Sequence, residues 1–169
     1  MGKYTNSNVA SISKKSNVNW FYFICLILIA YSFSVGVRSY WVNHFSNNES
    51  FKWNNELMIN TTDGYLFAEG ARDILNGITK SDHSSVQEPL SQITAFFVEY
   101  LPFSFEAIIL WMSAFLASLV VIPLMLIGRC LRLDYMGFVA ALIGGIAWSY
   151  YSRTMAGYYD TDMLTIVFP

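Results

Sequence analysis

The chain has 169 residues, of which 54% are hydrophobic, 17% aromatic and only 13% charged. Soluble domains carry about 25% charged residues, so this composition points to lipid as the main solvent and away from an ordinary soluble domain. A net charge of −2 offers no basic footprint, and no nucleic-acid partner is expected.

Residues 1–15 carry Lys3, Lys14 and Lys15 and read as a cytoplasmic N-terminus under the positive-inside rule. Residues 16–37 follow without a formal charge and are long enough for a first span. A cleaved signal peptide is the competing reading, but the run exceeds an h-region and no A-x-A-like site follows it. Residues 38–106 hold nine Asp/Glu against four Lys/Arg and form an external loop. A structureless connection of that length is unusual, and Trp41, Phe45, Phe51, Trp53 and Phe67 need burial, so the loop is expected to be ordered. The pattern predicts a helix over 65–76, with Asp63 as a candidate cap and Gly77 as the stop. A second helix is predicted over 91–100, with Ile93, Phe96 and Phe97 at helical spacing. Both could lie flat on the outer membrane surface, and residues 79–85 between them read as a mobile segment.

Residues 107–128 form a second uncharged span, and 129–134 a cytoplasmic turn with Arg129 and Arg132 against Asp134. Residues 135–152 make a third span near the lower length limit, in which Gly144-Gly145 would allow close packing. Residues 153–162 return outside. The apolar start at 163–169 is too short to cross, so the chain is expected to be the N-terminal part of a larger protein. Cys25 lies in a span and Cys130 in a cytoplasmic turn, which favours no disulfide. His44 and His83 are isolated, so no zinc-site pattern exists.

Two external acidic clusters stand out, Asp63 and the pair Asp160 and Asp162. The chain crosses twice between them, so both face one compartment. Asp63 reads as a helix cap or as a ligand. Asp160 and Asp162 sit at the mouth of the third span, where ionisable groups are a functional hypothesis by default. In an extended segment both could approach one hard cation such as Mg2+ or Mn2+, which takes one or two protein carboxylates plus phosphate and water. Arg153 neutralises the cluster, orients a ligand or anchors the span. Glu69, Arg72 and Asp73 read as a solvated helix face with local ion pairs.

Longer runs carry a more specific signal. Thr62-Asp63-Gly64-Tyr65-Leu66-Phe67-Ala68-Glu69-Gly70-Ala71-Arg72-Asp73 and Tyr151-Ser152-Arg153-Thr154-Met155-Ala156-Gly157-Tyr158-Tyr159-Asp160-Thr161-Asp162-Met163-Leu164 closely resemble bacterial oligosaccharyltransferases of the PglB type from epsilonproteobacteria. Pro102-Phe103-Ser104-Phe105-Glu106 and Met136-Gly137-Phe138-Val139-Ala140-Ala141-Leu142 are similar to the same family. The resemblance implies an all-α polytopic membrane domain of the GT-C type, with a long helical external loop after the first span. It also implies a bacterial inner-membrane protein whose site faces the periplasm. Its implied activity is inverting transfer of an oligosaccharide from a polyprenyl diphosphate carrier to asparagine in a D/E-x-N-x-S/T acceptor polypeptide, with Mn2+ or Mg2+. By the same resemblance Asp63 and Asp160 bind the metal, Asp162 is the second acid of D-x-D, and Arg153 is a site arginine. The family's remaining ligand Glu and its W-W-D-Y-G sequon-reading motif do not occur in these 169 residues.

Other readings are a protein O-mannosyltransferase or lipid-linked sugar transferase of the same fold class, and a transporter or assembly subunit with structural acids. Two sequons, Asn48-Glu49-Ser50 and Asn60-Thr61-Thr62, have Ser46 and Met58 two residues upstream rather than an acid, so self-modification is not expected.

Overall fold

The computed structural model describes residues 20–53, 55–80 and 83–165. The expected cytoplasmic N-terminus, the first residues of span one, residues 81–82 of the segment read as mobile, and residues 166–169 lie outside that description. The apolar run Trp20–Arg38 forms helix α1, and Tyr40–Phe45 continues it as α2. Together they make a 26-residue stretch apolar enough to cross a bilayer. A 3-10 turn at Glu49–Phe51 leads into a two-stranded antiparallel hairpin, β1 Lys52–Trp53 and β2 Glu56–Leu57. This hairpin is the one departure from helix among the described regular elements.

The described part of the loop is ordered, but not by burial of the aromatics expected to need it: Trp53 is 72% exposed, Phe51 lies at the surface, and Trp41, Phe45 and Phe67 are only half-buried. Helix α3 spans Thr62–Leu75 and α4 spans Pro89–Tyr100. Pro89 sits at the first turn of α4, where its missing N–H leaves no bond unmade. Gly77, at φ +81°, ends the α3 region as expected. The two helices pack on each other, and the Ser91 hydroxyl donates to the Phe67 carbonyl at 2.9 Å. The face of α4 that is buried differs from the expected stripe. Leu90, Ser91, Thr94 and Ala95 point inward, while Phe96 is 56% exposed. Small residues at the contact let the α3 and α4 backbones approach, and Ile93 and Phe97 flank the core instead of forming it.

Helices α5, Phe105–Ser118, and α6, Val121–Cys130, make a second 26-residue apolar stretch. It is interrupted at Leu119-Val120, where bonds shorten to the 3-10 pattern, Leu119 N–H to Leu116 O and Val120 N–H to Ala117 O. Pro123 accounts for the break, because its ring crowds the carbonyl four residues back, that of Leu119. The third apolar run departs from the expected single helix over 135–152. Helix α7 covers Asp134–Gly145, and a separate turn of helix, α8, covers Trp148–Tyr151. Gly144 and Gly145 weaken the helix at its end and pack closely, a Cβ on Gly145 lying 3.3 Å from Ser34 Oγ. The chain then runs through an irregular loop to α9, Asp162–Thr165.

Two apolar clusters sit at opposite ends of α1. At its N-terminal end Phe23, Leu26, Ala30, Val121, Met125 and Ala141 pack together. There the Arg129 guanidinium lies 4.0 Å from the Trp20 ring centroid and 3.9 Å from Asp134. Beyond the C-terminal end of α1, Ile59, Leu90, Met112, Tyr150, Tyr159 and Met163 form the core beneath the acidic loop. The α6–α7 turn and the acidic loop therefore occupy opposite ends of the helical body.

Candidate functional site

The acidic loop is held by bonds from four directions. From the end of α1, the Arg38 carbonyl accepts the Ala156 N–H at 3.1 Å. From α5, Leu110 O accepts the Gly157 N–H at 2.8 Å, and the Ser113 hydroxyl donates to Met155 O at 3.0 Å. From the segment before α3, the Asn60 N–H donates to Gly157 O at 2.9 Å and the Thr61 hydroxyl to Tyr159 O at 2.9 Å. From α4, the hydroxyls of Thr94 and the buried Tyr159 share a 2.5 Å hydrogen bond. Burial pushes the Tyr159 phenol up to about 12, against a smaller downward pull from the Thr94 bond. Gly157 turns the loop at φ +90°, with its open side against the Trp41 ring, a conformation and a gap that a side chain would oppose.

These bonds bring the two acidic clusters to one end of the molecule. A Cβ on Gly64 would stand 2.6 Å from Tyr159 O, so the first turn of α3 lies directly on the acidic loop. Asp63 and Asp160 are the sequence neighbours of those two touching residues. Asp63 does not cap α3. Thr61 occupies the N-cap position, and its hydroxyl reaches across to Tyr159 instead of capping its own helix. Asp63 lies in the first turn, exposed, where a carboxylate also complements the helix dipole.

Asp160 Oδ1 accepts the Thr161 N–H at 2.6 Å and its hydroxyl at 3.3 Å, which stiffens the carboxylate and leaves Oδ2 without a hydrogen bond among the described residues. Arg153 donates to Asp162 Oδ2 at 3.1 Å and is 66% exposed. The Asp162 carboxylate, through that bond and its charge, holds the Arg153 guanidinium above its usual value. Arg153 is thereby paired with a carboxylate of the acidic loop. No three acidic, histidine or cysteine side chains converge as a closed metal-ligand set among the described residues.

The supposed solvated face of α3 is paired beyond its own helix. Arg72 reaches Glu106 of α5 at 3.1 Å and lies over the Phe105 ring at 4.7 Å, while Asp73 accepts from the Ser84 hydroxyl. The reason is the packing of α3 against its neighbours, which offers partners 34 and 11 residues away in sequence. A cleft of about 470 Å³ opens along this side, lined by Trp53, Glu56, Tyr65, Glu69, Arg72 and Glu106. A second, of about 390 Å³, opens at the N-terminal end of α3 between Trp41, Phe51, Thr61, Thr62 and Tyr65.

Sequence reasoning missed Arg38 and Thr154. Arg38 is fully buried, and the available signal was its position as the first charge after a long apolar run. It also missed the Thr94–Tyr159 pair, whose members are 65 residues apart and carry no local pattern.

A helical body with two bilayer-length apolar stretches and an acidic loop pinned at one end is that of a membrane protein. The chain's residues 18–169 match the family described as Oligosaccharyl transferase STT3, N-terminal. The chain belongs to that family, whose membrane domain is of the GT-C type. It is 52% identical over 145 residues to the undecaprenyl-diphosphooligosaccharide--protein glycotransferase of Campylobacter jejuni subsp. jejuni serotype O:2, and equally to that of Campylobacter jejuni strain RM1221. Each alignment covers 85% of this chain and 20% of the relative. The chain thus spans about a fifth of the length of these relatives.

Proposed function

We propose that this chain is the N-terminal part of a protein that transfers an oligosaccharide from undecaprenyl diphosphate to the side-chain nitrogen of asparagine in D/E-x-N-x-S/T acceptors, with inversion. The observation that carries this reading is the seating of the first turn of α3 on the acidic loop, through Thr61 and Gly64 against Tyr159. It places Asp63 at the same end of the molecule as Asp160 and Asp162, in a chain of the STT3 family. The name of these relatives supports the choice of carrier and acceptor. Family membership favours this transferase over an O-mannosyltransferase or a transporter.

The donor set suits a hard divalent cation, Mn2+ or Mg2+, because such ions take carboxylate oxygens and need only one or two from protein. Asp63 and Asp160 would hold it: Asp63 is exposed, and Asp160 has a carboxylate already oriented by Thr161 whose Oδ2 makes no hydrogen bond among the described residues. When bound, the ion supplies charge neutralisation for the departing diphosphate. The remaining work falls to the side chains. An amide nitrogen is a poor nucleophile because its lone pair is delocalised into the carbonyl, the resonance that keeps peptide bonds planar. A carboxylate accepting its N–H, in this reading that of Asp63, weakens that conjugation. Asp162 is the second acid of the loop. Arg153 orients it and is exposed enough to meet a phosphate oxygen.

The orientation follows the charge bias. Residues 1–15 and the α6–α7 turn are cytoplasmic, and α3, α4 and the acidic loop are periplasmic, in a bacterial inner membrane. The test uses the full-length protein, the undecaprenyl diphosphate-linked oligosaccharide and a D-x-N-x-T peptide. Chelation should abolish glycopeptide formation, and Mn2+ or Mg2+ should restore it. Asp160→Ala should not be restored at the metal level that suffices for the wild type. Full transfer in the presence of chelator would exclude the metal assignment.

A further inference from the structure

Arg38 is a charge buried without a counter-charge. Its side chain has no exposed surface, and no carboxylate pairs with it among the described residues. Burying an ion is costly unless its hydrogen bonds are met, so the surroundings of this one are informative. Its Nη1 donates to Ser34 Oγ at 2.6 Å, and its Nε and Nη2 both donate to Thr154 Oγ1, at 3.2 and 3.1 Å. The guanidinium carbon lies 5.0 Å from the centroid of the Tyr150 ring, within the range of cation–π attraction. The Thr154 hydroxyl in turn donates to Tyr150 O at 2.6 Å. A hydroxyl has one proton and two lone pairs, and all three are engaged here. The backbone of the same residue completes the grip, since Arg38 O accepts the Ala156 N–H.

One residue at the end of α1 therefore holds the acidic loop at two points, 154 and 156. The planar fork of arginine suits this, because two of its N–H groups converge on one oxygen while a third faces Ser34. Lysine lacks that fork. The far side of the loop, from Asp160 to Asp162, carries the acids.

We propose that Arg38 is a positioning residue for the transfer reaction: with Thr154 it fixes where the Asp160–Asp162 segment stands relative to α3. This rests on the functional reading above. It differs from a general stabilising function in being local to the loop and in acting on turnover.

The experiment compares Thr154→Val, Thr154→Ser, Arg38→Lys and Arg38→Met in the full-length protein. It measures peptide glycosylation, hydrogen exchange of residues 154–162 and of the α1–α7 helices, and the melting temperature. Thr154→Val keeps the side chain's shape and removes the acceptor. It is expected to lower kcat by roughly 10- to 100-fold, the range seen when a supporting group behind a ligand is lost, with the peptide KM little changed. Exchange should rise within 154–162 and not in the helices, with at most a modest fall in melting temperature from the two Arg38 N–H groups left without an acceptor. Thr154→Ser should restore both turnover and protection, and Arg38→Lys should fall between wild type and Arg38→Met. Wild-type turnover and exchange in Thr154→Val would overturn the proposal. So would a rise in exchange across all helices with a lowered melting temperature, which is the mark of a merely structural residue. If Arg38→Met fails to insert, the threonine pair decides alone. If the wild-type protein makes no glycopeptide, the transferase reading has failed, and the exchange pattern still judges whether the clamp acts locally on the loop.

Discussion

Asp63 and Glu69 stand on the same helix, both exposed, yet only Asp63 lies in the turn that touches the acidic loop. That difference is tertiary, and it explains why a local rule misread Asp63. Cap preference is a property of neighbouring residues, whereas Thr61 takes the N-cap position and spends its hydroxyl on Tyr159, 98 residues away. Arg38 and Thr154, 116 residues apart, were illegible for the same reason. The buried phenol of Tyr159 makes a prediction at this scale. Its folded-state value, about 12, lies above the ordinary 10, so its contribution to stability is fully present below pH 10 and is lost as pH rises through about 12. Alkaline titration followed by absorbance at 295 nm should show a late-ionising signal that shrinks by one tyrosine in Tyr159→Phe. The variant should also lose stability at neutral pH by about 1 kcal/mol, the worth of one hydrogen bond. A difference spectrum placing that ionisation near 10 would contradict the buried placement.

At the scale of elements, hydropathy located all three apolar runs but not their interior breaks. Length and apolarity are sums over a window, and they are blind to a single backbone defect. Pro123 displaces the break to Leu119-Val120, and the Gly144-Gly145 pair ends α7 before Trp148. Both signals were present in the sequence and were outweighed by the count of apolar residues. The second break matters to the site, because the turn after α7 lets Tyr150 reach Arg38 and Ala117. Arg129 lies on Trp20, at the end of α1 opposite to Arg38. Topology is checked by cysteine labelling in sealed vesicles. Cys130 should react from the cytoplasmic side and His83→Cys from the periplasmic side, in a background with Cys25 replaced. Labelling of both from one side would break the assignment of the site to the outer face.

For the whole molecule, the fold class was legible because composition and long uncharged runs report the solvent directly, and the extended runs around Asp63 and Asp160 report the family. The small hairpin at residues 52–57 was not, since two-residue strands leave no period to read. The acids of the candidate site could be picked out from the sequence and their supports could not, because a carboxylate announces itself and a threonine holding an arginine does not. Central to the proposed function is that Asp63 belongs with the acidic loop to one charge-dependent transfer site. Glycopeptide formation by full-length Asp63→Asn, titrated with Mn2+ beside wild type and Glu69→Gln, tests it most directly. Asparagine keeps the volume and one acceptor oxygen but lacks the anion that holds a cation. The expected result is a fall of at least roughly 100-fold for Asp63→Asn, steepest at limiting metal, with Glu69→Gln close to wild type as most surface changes are. Near-normal transfer by Asp63→Asn at limiting Mn2+ would contradict it and leave Asp63 as no more than a favourable charge at the start of α3.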